Sequence, residues 1–122
     1  MADSEDQAME RLAHHISMTY GVLATLCLSL PVAVTLPTGL VSNLDVVPAV
    51  RRMMDIIEDQ PMPEEQQATL FAACSFWLGA MDLYGLLTRD FHIARANSAA
   101  ACLLMCDDTM NDLIVWLAET QK

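Results

Sequence analysis

The stretch ISMTYGVLATLCLSLPVAVTLPTGLVSNL, residues 16–44, contains no Asp, Glu, Lys or Arg, although the 122-residue chain around it carries a formal net charge of −10. Sixteen acids against six Lys and Arg must therefore be kept apart in space from a long uncharged segment. A transmembrane helix does this, and so does a buried helix followed by an apolar loop. Length permits a span, which needs about 20 consecutive apolar residues, and residues 17–35 include Val22, Leu23, Leu26, Leu28, Leu30, Val32 and Val34. Pro31 falls inside that window, Pro37 and Gly39 follow it, and Ser17, Thr19, Thr25, Ser29 and Thr35 dilute it. The leading residues Asp3, Glu5, Asp6 and Glu10 are acidic, whereas a secretory signal opens on a basic segment. The segment is read as a buried helix plus loop in a cytoplasmic protein, with membrane association as an alternative.

The helix boundaries follow from the residues on either side. A first helix is expected over 5–30: Ser4-x-x-Gln7 has the capping-box pattern, Met9, Leu12, Ile16, Tyr20, Leu23, Cys27 and Leu30 recur at three-and-four spacing, and Pro31 stops it. Residues 31–42 form an apolar loop that either packs on the bundle or offers Val32, Val34, Leu36, Leu40 and Val41 to a partner. A second helix is expected over 46–59, capped by Asp45 with Pro48 in its first turn, and Arg51 and Asp55 at i,i+4 predict a local ion pair. Pro63-Glu64-Glu65 opens a third helix over 63–88, and Leu70, Phe71, Cys74, Trp77, Leu78, Met81, Tyr84 and Leu87 make it the central element. Close approach of another backbone would explain Gly79 and Gly85 within it. The fourth helix is expected to begin after Asn97 or Ser98, with Ala99, Cys102, Cys106, Met110, Leu113 and Leu117 on its buried face. These patterns predict an all-α fold, a small up-and-down bundle of about four helices, in one domain over 1–122.

Chemistry-bearing groups are sparse. Cys27, Cys74, Cys102 and Cys106 lie in apolar helical stretches and read as small core residues. One Cys-x-x-x-Cys pair without a second does not make a structural zinc site. Glu10, His14 and Met18 share a face at i,i+4 and would suit a metal ion if a second helix supplied ligands, so a metal-binding bundle is an alternative; no metal or cofactor is expected. The chain has no Gly-x-Ser-x-Gly, no phosphate-cradling loop and no His-Glu-x-x-His, and the expectation is that it is not an enzyme. Asp82 stands among apolar neighbours and, if buried, would need Arg89, His92 or Arg95 as a partner.

Direct nucleic-acid binding requires a basic footprint, which this composition excludes. On the face of the fourth helix opposite its apolar stripe, Asp107, Asp108, Asp112 and Glu119 form an expected partner-binding stripe resembling a row of phosphates. The functional expectation is a non-enzymatic acidic module that binds a basic protein. It would act as an inhibitor or antagonist that occludes a basic, nucleic-acid-binding surface; an immunity protein or a secretion chaperone would share the same size and acidity. With 54% hydrophobic residues in a chain too small to bury most of its surface, a homodimer is also expected.

Overall fold

Buried residues spaced alternately by four and three set the long helices side by side. The computed structural model describes residues 2–39 and 43–120, those at 2 and 3 through their backbone alone. Within these the chain is all-α: α1 (Ala2–Leu28), α2 (Asn43–Ile56) followed by one 3₁₀ turn (Ile57–Asp59), α3 (Glu64–Arg89) and α4 (Ile93–Thr120). In α1 and beyond, Leu12, Ile16, Thr19, Leu23, Leu26 and Leu30 are buried; in α4, Ala99, Leu103, Cys106, Met110, Leu113 and Leu117 are buried. This is the seam spacing of left-handed helix packing. On α3, Leu70, Ala73, Cys74, Trp77, Ala80 and Leu87 face the same core.

Direction follows from the contacts. Asp107 meets His15 and Thr19, and Leu117 lies beside Leu26 further along, so α1 and α4 run parallel. The short link Asp90 to His92 turns α3 back into α4. A hydrogen bond from Trp77 Nε1 to the Ile16 carbonyl (3.2 Å) pins α3 to α1, and the Trp77 ring lies 5.3 Å from that of Tyr20. Among the element contacts, α2 touches α3 and the 3₁₀ turn but neither α1 nor α4. The bundle is thus three long helices with a short one applied to α3.

The apolar loop is an excursion that returns on itself. Leaving α1, it doubles back until the Pro37 carbonyl accepts the Tyr20 hydroxyl (2.5 Å). Gly39 takes φ +85°, a conformation that side-chain-bearing residues rarely adopt, before the chain enters α2. Gln60, buried at 4% exposure, closes the excursion: its Oε1 accepts the Val32 N–H (3.0 Å) and its Nε2 donates to the Val32 carbonyl (2.6 Å). Leu36 packs into the core and Val34 against it, whereas Val32 is 56% exposed. Leu40 and Val41 lie outside the described residues.

Several sequence expectations are corrected. The first helix starts before Ser4, so Ser4-x-x-Gln7 is not its cap, and it ends at Leu28, two residues early, as the chain turns ahead of Pro31. Helix α2 starts at Asn43, which places Asp45 inside its first turn rather than at the cap, and Pro48 beyond that turn. Helix α4 starts a turn earlier than expected, because the Ala94–Ala96 run carries it and Ser98 returns its hydroxyl to the Ala94 carbonyl (3.0 Å) instead of capping. Leu103, not Cys102, takes the buried register position. The ion pairs among the described residues are His15–Asp107 and His92–Asp90, so Arg51 does not pair with Asp55. Asp82 is exposed. Gly85 would meet nothing with an added Cβ and Gly79 only the Cys102 Sγ at 3.8 Å, so no close backbone explains either glycine.

Replacing Gln60 with Leu removes both hydrogen bonds to the part-buried Val32 backbone, and a hydrogen bond of this kind contributes about 0.5–1.5 kcal/mol net. The expected outcome is a lower urea midpoint at unchanged m-value; an unchanged midpoint would show that Gln60 does not anchor the loop.

Candidate functional site

Asp107 sits where α4 faces α1. Its Oδ2 is 2.8 Å from His15 Nε2 and its Oδ1 accepts from the Thr19 hydroxyl at 2.8 Å. An ionised carboxylate only accepts hydrogen bonds, so His15 carries its proton on Nε2. Thr19 is 1% exposed, and the Asp107 carboxylate is what satisfies its hydroxyl. This divides the four residues of the expected acidic stripe. Asp107 turns inward to α1, while Asp108, Asp112 and Glu119 are exposed and stand roughly a quarter turn or more round α4, since each residue advances about 100°. Leu104, Met105 and Val115 are exposed on that same outer face.

From Asp107 an apolar groove follows α1 and α4 toward their C-terminal ends. Its deeper part, about 540 Å³, is lined on α1 by Met18, Val22 and Leu26 with the smaller Gly21 and Thr25, and on α4 by Ile114 and Leu117. A shallower continuation reaches His15, Thr19, Asp107 and Asn111. Met18 is 58% exposed, Val22 and Ile114 each 41%. Between Arg11 and Arg51 there is no Lys or Arg, nor between Arg95 and Thr120, so every formal charge along the groove's α4 side is negative.

Three of the four thiols, those of Cys27, Cys74 and Cys106, are poorly placed for chemistry at neutral pH. Burial pushes Cys27 and Cys106 up to about 12, the nearby Asp107 adding to the effect at Cys106. Cys74 is raised further by burial, then by Cys27 and Cys106. Cys106 Sγ donates to the Ala73 carbonyl (3.2 Å). Protonated thiols are weak nucleophiles and weak metal ligands. Among the described residues no three His, Cys, Asp or Glu gather as a ligand set, and Glu10 and His14 share a shallow surface depression with Gln7 and Arg11, where no second helix contributes. Of the described helices α3 alone is long and apolar enough to cross a membrane; it is also the helix that touches α1, α2 and α4. The 17–35 window is not one helix, because α1 ends at Leu28.

Residue-type reasoning alone missed Thr19, the pairing of His15 with Asp107, and the groove. Thr19 had a signal: it occupies a core position of the four-three register in α1. No protein-family model, curated protein or solved structure matches the chain.

Asp107→Ala leaves the buried Thr19 hydroxyl without its acceptor and is expected to lower unfolding free energy by about 1–2 kcal/mol, while Asp108→Ala stays within about 0.5 kcal/mol of the parent. Chemical denaturation of the two variants compares them, and equal losses would contradict the inward role of Asp107.

Alkaline pH provides a second check. Each raised thiol keeps its proton to a higher pH in the folded chain than in the unfolded one, whose thiols titrate near 9. Its contribution is therefore complete below about pH 9 and is lost as pH rises toward about 12, where the unfolded state binds fewer protons. Tyr20, raised by burial and then by Cys27, acts with the same sign. The urea midpoint is expected to fall steadily above pH 9, less so in a Cys27→Ala/Cys106→Ala variant.

Proposed function

We propose that this chain is a non-enzymatic acidic binding module that docks on a basic protein and so blocks the surface it covers, as an inhibitor or antagonist does. The observation that carries the reading is the pairing of an open apolar groove on α1 and α4 with a flank whose exposed charges, Asp108, Asp112 and Glu119, are all acidic. Apolar contact supplies affinity in such an arrangement, and like-signed charge selects the partner and speeds encounter. A partner surface that binds phosphates has the complementary charge. The acidic set excludes Asp107, whose carboxylate is engaged within the fold.

Like charges one turn apart repel by a few tenths of a kcal/mol. An Asp108→Asn/Asp112→Asn/Glu119→Gln variant is therefore expected to fold at least as stably as the parent. Affinity capture from the source cells, with mass spectrometry and then the purified partner, tests the reading. The parent should retain a basic protein whose affinity falls with salt, and the variant should lose it and its salt dependence. Equal retention of the same protein by parent and variant would overturn the proposal.

A further inference from the structure

Among the described residues, helix α1 presents an outer face that no other helix covers. Ser17, Met18, Gly21, Val22, Thr25 and Leu28 are all exposed, none is charged, and α1 touches α3 and α4 but not α2. In a four-helix bundle each long helix has two neighbours and the helices close round one core. Here the short α2 is applied to α3, with its first residues Asn43 and Val46 across a depression from Ser17 and Gly21. Among the described residues no helix besides α3 stands alongside both α1 and α4, which leaves the groove. From His15 to Ser29 it follows fourteen residue steps, about 21 Å at 1.5 Å each, the length of four helical turns.

Resting on the docking reading above, we infer that the groove takes an amphipathic α-helix of the partner, about four turns long, with an apolar face against Met18, Val22, Ile114 and Leu117 and Lys or Arg along the edge that faces Asp108, Asp112 and Glu119. The backbone groups of α1 and α4 are engaged within their own helices, so an extended segment laid in the groove would find no ladder to join. A helix satisfies its own backbone and needs only an apolar surface, the helix-in-groove mode of recognition. Gly21 lets a partner helix come close: among the described residues an added Cβ there meets no atom within 4 Å, although Thr38, Gly39 and Asn43 border it on the side away from α4.

Charge decides between a partner and a second copy. Beyond the groove's lining, the exposed charges on the outer face of α4 are the acids Asp108, Asp112 and Glu119, and the chain as a whole is −10, so a second copy would set acid against acid. A helix with a basic edge meets opposite charge along its length, and the interaction weakens with salt as exposed charges are screened.

The test uses the full chain and two synthetic peptides of about 18 residues, each with Leu and Ala on one face and either Lys or Glu on the flanks. Fluorescence anisotropy is expected to give binding of the Lys peptide about tenfold or more tighter than the Glu peptide at low salt. Gly21→Trp should weaken the Lys peptide by at least about tenfold with an unchanged circular dichroism spectrum, while Gly21→Ala binds as the parent does. Undiminished binding to Gly21→Trp overturns the helix-in-groove inference; if the acid-neutralised variant then still loses its basic partner, the broader docking reading stands without it. Failure of both variants to affect either ligand overturns both. Equal affinity for the Lys and Glu peptides contradicts the basic edge. Sedimentation velocity showing a dimer in the parent that Gly21→Trp converts to monomer would assign the groove to a second copy and overturn the inference.

Discussion

The registration of α1 on α4 is the constraint on which the rest of the structure depends. These helices come from opposite ends of the chain and run parallel, so no short connection can align them. Alignment comes from the interlocking four-three registers of buried side chains and from Asp107, which receives His15 and Thr19 across the seam. Because the pairing is made at residues on one side of α1, no described helix covers its other side. The groove is the geometric consequence of a bundle with three long helices and one short one, and it persists as long as Leu23, Leu26, Leu113 and Leu117 fill the seam beneath it.

Charge placement gives the groove its character. Acids gather in the first turns of α1, around the 3₁₀ turn and the start of α3 as Glu58, Asp59, Glu64 and Glu65, and along the outer face of α4. Acids at the start of α3 also suit the positive end of its dipole. In general a net charge of this size opposes close approach of like-charged molecules, at some cost in self-repulsion within the fold. Its absence from α1 between Ile16 and Leu28 is then a separate feature. Exposed Met18, Val22 and Leu28 sit on a surface where charged residues would have been tolerated without disturbing the core.

The helices were legible in the sequence because their signals are local. Pro31, the Pro63-Glu64-Glu65 opening and the apolar periodicities placed the four helices and made α3 central. Local signals misplaced the ends, where Ser4, Asp45 and Asn97 resemble caps but lie inside helices that their neighbours extend. What remained hidden depends on contacts between distant residues. Gln60 and Val32 are 28 apart, and His15 and Asp107 are 92 apart. Asp107 looks identical to Asp108 in a stripe of acids, and only the position of α1 separates a carboxylate that joins helices from one that faces solvent. Likewise the uncharged run showed that something was to be covered, but not that part of α1 would stay open.

The most direct measurement of this account is solvent accessibility of methyl groups by NMR, using a soluble paramagnetic agent on the free protein. The account predicts strong broadening of the Met18, Val22 and Ile114 methyls, with Leu23, Leu103 and Leu113 protected as their burial requires. If Met18, Val22 and Ile114 are as protected as the core leucines, the face between α1 and α4 is already covered in the free protein and the account of an open docking groove is wrong.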